Sequence, residues 1–289
     1  MADLLFAVRN NFYLGAFQAA INEASDLTEG LSETEEQERD ALVYRSYIGM
    51  GQYDIVLAEI SDNAATGMLA VKLLAAYLSG RTDKDSALVT IADWLSDAAS
   101  NANPLVSIVA GFIYCGEENY IDALKACHHG RSLEQMALCV QVYLKMDRVD
   151  QAEKQVRAMS NMDDDATLTQ LAHAWTNLAL GGQKVQDAQY IYQELGDRNN
   201  WTTRLYNGSA VCHMRMGNFD DAEKELLEAI NKDSKDPDTL ANLITCSVHL
   251  GKPTTRYMSQ MKLIDPNHMV VKRFASSDEA FERAAAAVA

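Results

Sequence analysis

Along most of the chain, apolar and small residues recur at steps of three and four, the period of an amphipathic helix. In "MRMGNFDDAEKELLEAI" (214–230) those positions are Phe219, Ala222, Leu226 and Ala229, just after a lone Gly217. Long alternating runs are absent and turn signals are few, so strands are not predicted. The stretch also repeats. Aligned on Ala222, it returns at Ala188, Ala152, Ala123, Val56 and Ala20, with a weaker copy at Leu88, giving spacings of 36, 32, 35, 29, 36 and 34 along the chain.

Other positions keep the same phase. Three residues before the small residue stands an aromatic or branched one: Phe17, Tyr53, Tyr120, Val149, Val185 and Phe219. Four after it stands another packing residue: Ala24, Ile60, Cys127, Val156, Tyr192 and Leu226. Gly15, Gly51 and Gly217 fall five before it, and Gly251 lies one period beyond Gly217. A small side chain is needed where two antiparallel helices approach closely, and glycine suits the turn that joins them. A preceding helix is available for each copy, among them "PLVSIVAGFIYC", "MALCVQVYLKM", "TLTQLAHAWTNLAL" and "RLYNGSAVCHMRM". Asn103-Pro104 and Asp236-Pro237 mark helix starts, Asn218 is placed to cap the helix at Phe219, and Asp163 to Asp165 read as acidic residues at a helix start. These are the features of tetratricopeptide (TPR) hairpins of about 34 residues.

The predicted fold is therefore all-α: a right-handed superhelix of TPR-like helical hairpins, an α-solenoid of seven or eight units. One array spans residues 1–289, with repeat units over 1–265 and a C-terminal capping helix or helices over 266–289. In the last unit Pro253 and Arg256 stand where the aromatic and the small residue belong, as a terminal unit with one packing face allows.

Charge narrows the function. A net charge of −16 repels phosphate backbones and anionic lipid, which disfavours nucleic-acid binding over a large surface and direct docking on anionic lipid, and suits a basic protein partner. No apolar run approaches the length of about 18–20 residues that spans a bilayer. The N-terminus lacks the pattern of a signal peptide, so a cytosolic location is expected. In that setting the five cysteines (115, 127, 139, 212 and 246) read as small buried hydrophobes. Candidate chemistry resolves into structure. His128-His129 beside Cys127 and Cys139 lacks metal-ligand spacing. The Asp163–Asp165 run lacks the spacing of a calcium loop. Gly181-Gly182 is a turn without the Lys-Ser/Thr of a phosphate loop. Trp94, Trp175 and Trp201 are expected to pack between helices, and "ETEEQERD" (33–40) to be a solvated helix face. No catalytic, cofactor-binding or metal-binding residues are expected, and no cofactor.

Specific stretches carry more than the repeat. "DDDATLTQLAHAWTNLALGGQKVQDAQYIYQEL" (163–195), "NGSAVCHM" (207–214), "NLITCSVHLGKP" (242–253), "DRVDQAEKQVRAM" (147–159) and the early "NNFYLGAFQAAINEA" resemble the epsilon subunit of coatomer, in order along nearly the whole chain. The resemblance implies a non-enzymatic subunit of the vesicle coat. It implies a TPR superhelix that binds and stabilises the C-terminal region of the coatomer alpha subunit and meets other coat subunits indirectly. It further implies Golgi-to-endoplasmic-reticulum and intra-Golgi transport, with the protein cytoplasmic and peripheral on Golgi membrane and coated vesicles. The family offers no catalytic residue to carry over.

Repeat geometry alone places the partner-binding face on the first helices. It would include Gln170, His173 and Asn177 in one unit, Arg204, Asn207 and Met214 in the next, then Ala241 and Thr245. The residues by themselves leave two other adaptor classes open. One is a TPR co-chaperone, which needs Lys, Arg and Asn clustered around a peptide carboxylate; only Arg204 and Asn207 stand close together. The other is a vesicle-fusion adaptor, also helical and acidic.

Overall fold

The computed structural model describes residues 3–27, 29–128, 130 and 132–288, and no strand occurs among the described residues. The chain divides into two compact units, residues 1–180 and 181–289.

In the first unit, helix pairs follow one another: α1 (Phe6–Leu14) with α2 (Phe17–Asp26), α3 (Glu33–Gly49) with α4 (Tyr53–Glu59), and α5 (Thr66–Leu78) with α6 (Lys84–Ser96). The single-turn α7 (Ala98–Asn101) precedes α8 (Pro104–Gly116) with α9 (Tyr120–Cys127), α10 (Leu133–Lys145) with α11 (Val149–Met162), and α12 (Thr167–Leu180). The second unit holds α13 (Lys184–Arg198), α14 (Thr203–Arg215) with α15 (Phe219–Lys232), α16 (Pro237–His249) with α17 (Thr255–Ile264), and one trailing helix, α18 (Met269–Val288). The described helices thus form the hairpins of an α-solenoid.

The aligned small residues Ala20, Val56, Ala123, Ala152, Ala188 and Ala222 are all buried, as are the packing residues four positions on. The aromatic or branched residues Phe17, Tyr53, Tyr120, Val149 and Phe219 are each the first residue of their second helix. The weak copy needs correction by one residue. Ala87 is fully buried while Leu88 is only half-buried, and Ala87 lies three after Lys84, which opens α6. The buried Ile91 then fills the position four residues on.

Hairpin turns explain why the period survives changes of residue. In seven of them a residue one or two positions past the first helix has positive φ: Gly15, Gly51, Gly80, Glu118, Asp147, Gly217 and Gly251. The following N–H then donates to the carbonyl five residues back, as in Asn119 to Tyr114, Arg148 to Tyr143 and Asn218 to His213, at 2.8–2.9 Å. This is a Schellman turn, and at two hairpins it is built without glycine. Glu118 (φ 59°) and Asp147 (φ 57°) accept a left-handed conformation that costs a side-chain-bearing residue about 1–2 kcal/mol.

Asn103 and Asp236 cap α8 and α16 as predicted, accepting from the N–H groups of Leu105 (2.9 Å) and Thr239 (2.8 Å). Asn218 occupies the capping position of α15, but its side chain makes no capping bond. The aspartate run is also displaced: Asp163 closes α11, and the first turn of α12 has no acidic residue. His128 follows α9, and His129 lies outside the described residues. In the last pair, α17 starts at Thr255 with Arg256 exposed, and buries Met261 instead. The three tryptophans are half-buried; Trp201 stacks on Tyr206 at 4.8 Å.

The first unit has one contact no periodicity announces: its first helices meet its last. Arg45 of α3 is buried and grips Glu134 of α10 through both guanidinium nitrogens, with Nη1–Oε2 at 3.1 Å. The Arg45 guanidinium also sits 4.7 Å over the Phe12 ring. The Tyr13 hydroxyl donates to Glu134 at 3.4 Å, and burial pushes its phenol well above the usual range. Thr167 of α12 donates to Asn10 of α1 at 2.5 Å. The ring of Tyr13 packs against the apolar cluster of Met136, Val140, Val156 and Leu168.

Two outcomes follow from these packing arguments. Gly217→Ala is expected to lower stability by about 1 kcal/mol, whereas Glu118→Gly and Asp147→Gly should hold or raise it, because they relieve a left-handed side chain. Denaturant unfolding of the three variants checks the sign. Glu134→Ala strands the buried Arg45 charge and is expected to cost about 3–5 kcal/mol, read as a shift in the first unfolding transition.

Candidate partner-binding face

The residues assigned to the first-helix face fall in both units, and each unit stands by itself. On α12, Gln170, His173 and Asn177 are half-buried, at spacings that place them along one side of the helix. Gln170 donates from Nε2 to the carbonyl of Asp164 at 2.6 Å. His173 Nε2 is 2.8 Å from Ser160 Oγ and 3.9 Å from Asp164 Oδ1. Gln170 and His173 are thus tied to the α11–α12 turn, which holds both side chains in place.

In the second unit the placements diverge. Arg204 is exposed and lies in the field of Asp236 and Asp238. Asn207 is occupied. Its amide nitrogen donates to Thr203 O (3.0 Å), Asp236 Oδ2 (3.2 Å) and Thr239 Oγ1 (2.7 Å), while its oxygen accepts from Asn242 at 2.8 Å. It joins α14 to the start of α16. Met214 packs on the cluster of Ala210, Ala222, Leu226, Leu243 and Cys246. Ala241 is buried with Leu240, Ile244, Met261 and Val271; α17 and α18 cover it, so the expectation of a groove position there is corrected. Thr245 is exposed, its hydroxyl donating to Ala241 O at 3.0 Å.

Sequence reasoning missed a second polar cluster between α14 and α15. Ser209 Oγ donates to Glu225 Oε1 at 2.9 Å, and His213 Nε2 lies 3.5 Å from the same oxygen. His213 Nδ1 and Glu225 Oε2 are buried without a hydrogen-bond partner among the described residues. Burial raises the Glu225 carboxyl above its ordinary range, against the pull of Ser209 and His213. A faint signal was available: Glu225 lies three residues after Ala222 and one before Leu226, on the edge of the buried stripe.

Among the described residues there is no cluster of metal-ligating side chains and no helix long and apolar enough to cross a membrane. All five cysteines are buried thiols, and burial raises Cys127 to about 12 and Cys139 to about 11, the unreactive range.

A raised carboxyl opposes folding once the unfolded chain ionises more readily than the folded one. That penalty is absent below the ordinary glutamate pKa and complete above the raised one. Glu225→Gln is therefore expected to raise the melting temperature at pH 7, with the gain fading as pH falls through the ordinary carboxylate range. Melting curves of both proteins across that range check it.

Comparison with known proteins completes the picture. The family model described as "Coatomer epsilon subunit" matches residues 1–289. Coatomer subunit epsilon-1 of Oryza sativa subsp. japonica is 53% identical over 287 residues, covering 99% of each chain. Coatomer subunit epsilon-1 of Arabidopsis thaliana is 50% identical over 282 residues, covering 98% of this chain and 96% of that one. A tetratricopeptide repeat protein from Parabacteroides merdae superposes with a TM-score of 0.61 at 12% identity, covering 89% of this chain and 96% of that structure, a likeness of fold alone. The hairpins and turns described above are the structural counterpart of a match that runs from end to end, and the chain belongs to the coatomer epsilon subunit family.

Proposed function

We propose that this coatomer subunit is a non-enzymatic scaffold that binds the C-terminal region of the coatomer alpha subunit and stabilises it. It meets the other coat subunits indirectly. In this reading it serves Golgi-to-endoplasmic-reticulum and intra-Golgi transport, cytoplasmic and peripheral on Golgi membrane and coated vesicles. The observation that carries the reading is the full-length match to epsilon subunits. The fold supports it physically, because stacked hairpins present a preformed surface, and binding to such a surface costs little ordering on this side.

Contact is proposed through Gln170, His173 and Asn177 on α12, and through Arg204, Met214 and Thr245 on the α14 and α16 faces of the second unit. Asn207 supports that face from behind, its amide already engaged. The same bonds count against the co-chaperone alternative. A carboxylate clamp would need Asn207 and Arg204 turned toward the ligand, yet Asn207 bonds Asp236 and Arg204 sits beside two aspartates.

Co-expression with the alpha C-terminal region is expected to give one stoichiometric complex at micromolar concentration. Gln170→Ala with Arg204→Glu should shift it toward two separately eluting species. Separate elution of the unmodified pair would overturn the assignment.

A further inference from the structure

The chain is strongly acidic, but its end is not. Residues 252–273 carry five Lys or Arg against one Asp. Lys252 is neutralised by Glu223. The other four, Arg256, Lys262, Lys272 and Arg273, are exposed and form no ion pair among the described residues. Elsewhere some basic side chains have an acidic neighbour, as in Arg9–Glu38, Lys72–Asp62, Lys84–Glu117 and Arg198–Glu194, and others, such as Lys145 and Lys232, form no ion pair among the described residues. What sets this segment apart is its sign: five basic residues less one Asp leave residues 252–273 at +4 within a chain of net charge −16.

Large apolar side chains stand among them. Leu263 is 86% exposed, Met269 60% and Phe274 44%, and Phe281 further along α18 is 74% exposed. Among the described residues of α18 only Val271 is buried, within the cluster of Leu240, Ala241, Ile244 and Met261. The helix is held at its start, by the buried Val271 and by His268, whose Nε2 lies 3.6 Å from Asp238 Oδ1 of α16, and Phe274 and Phe281 lie beyond that anchorage.

We propose that the surface of α17 and α18 carrying Arg256, Lys262, Leu263, Lys272, Arg273 and Phe274 docks an acidic polypeptide segment with apolar anchor residues, on another subunit of the coat. Exposed apolar groups on the same two helices as unpaired positive charge are the makings of a protein docking surface. The charge selects the partner: carboxylates would find four unneutralised cations here and repulsion from most of this chain elsewhere. Anionic lipid is the less favoured occupant, because Asp278, Glu279 and Glu282 on the same helix would be pressed against the headgroups. This surface is separate in kind from the first-helix faces proposed above, so either assignment can fail alone.

The test uses coatomer reconstituted with this chain and a zero-length carboxyl–amine crosslinker. Lys262 and Lys272 are expected to crosslink to Asp or Glu of another subunit, and residues 255–281 to exchange amide hydrogen more slowly than in the isolated chain. Arg256→Glu with Arg273→Glu leaves both lysines in place and both altered residues exposed, so folding is preserved. It should lower those crosslinks roughly tenfold. Unchanged exchange and no crosslinks in the assembled coat overturn the proposal. So does protection that appears only with phosphatidylserine vesicles, or crosslinks joining two copies of this chain. Failure of the alpha C-terminal complex, with crosslinks to some other subunit retained, sinks only the earlier reading.

Discussion

Everything in this fold rests on how closely two antiparallel helices can approach. A helix pair packs at about 8–10 Å, and the side chain at the crossing point sets where in that range it falls. Ala20, Val56, Ala87, Ala123, Ala152, Ala188 and Ala222 occupy that point with almost no exposed surface. A larger residue there would push the pair apart and misalign the next pair as well, because each hairpin is the packing surface for its neighbour. The turn obeys the same geometry. Its left-handed residue reverses the chain within a few residues and places the second helix three residues short of the crossing. Glu118 and Asp147 hold this conformation without glycine, so the packing of the pair enforces the turn and the turn does not depend on residue preference alone.

That hierarchy explains what could be read from the chain beforehand. The repeat was legible because the constraint is local: a small residue, an aromatic three before, a packing residue four after and a left-handed turn all lie within about ten residues. Legibility failed where the local cues weakened. At α6 no aromatic opens the helix and the turn after Gly80 is longer, so the larger Leu88 drew the alignment away from Ala87. The aspartates before α12 looked like a helix start because charge favours one, yet they belong to the end of α11 and to its turn.

Long-range polar contacts were not legible. Arg45 and Glu134 are separated by 89 residues, and Thr167 and Asn10 by 157; nothing in the period of either segment predicts the meeting. The first-helix face shows the same limit. Gln170, His173 and Asn177 follow one another at helical spacing on α12. Whether a residue there is available depends on what the neighbouring pair supplies. Asn207 meets Asp236, Thr239 and Asn242, and Ala241 is covered because α17 and α18 fold over it. A repeat fixes spacing and leaves occupancy open, since occupancy is decided by polar residues that the repeat leaves free to vary.

The end of the array shows what happens when the packing requirement is lifted. The second helix of the last described pair is followed by the single helix α18 and keeps no small residue at the aligned position, where Arg256 stands at the surface. On α17 and α18, Arg256, Lys262, Lys272 and Arg273 are exposed with no ion pair among the described residues, and Leu263, Met269 and Phe274 are open to solvent. A mere cap would be expected to present a polar outer face, since a solenoid end that exposes large apolar groups invites association. This end keeps both apolar groups and unpaired cations, which is the composition of a contact surface and not of a lid.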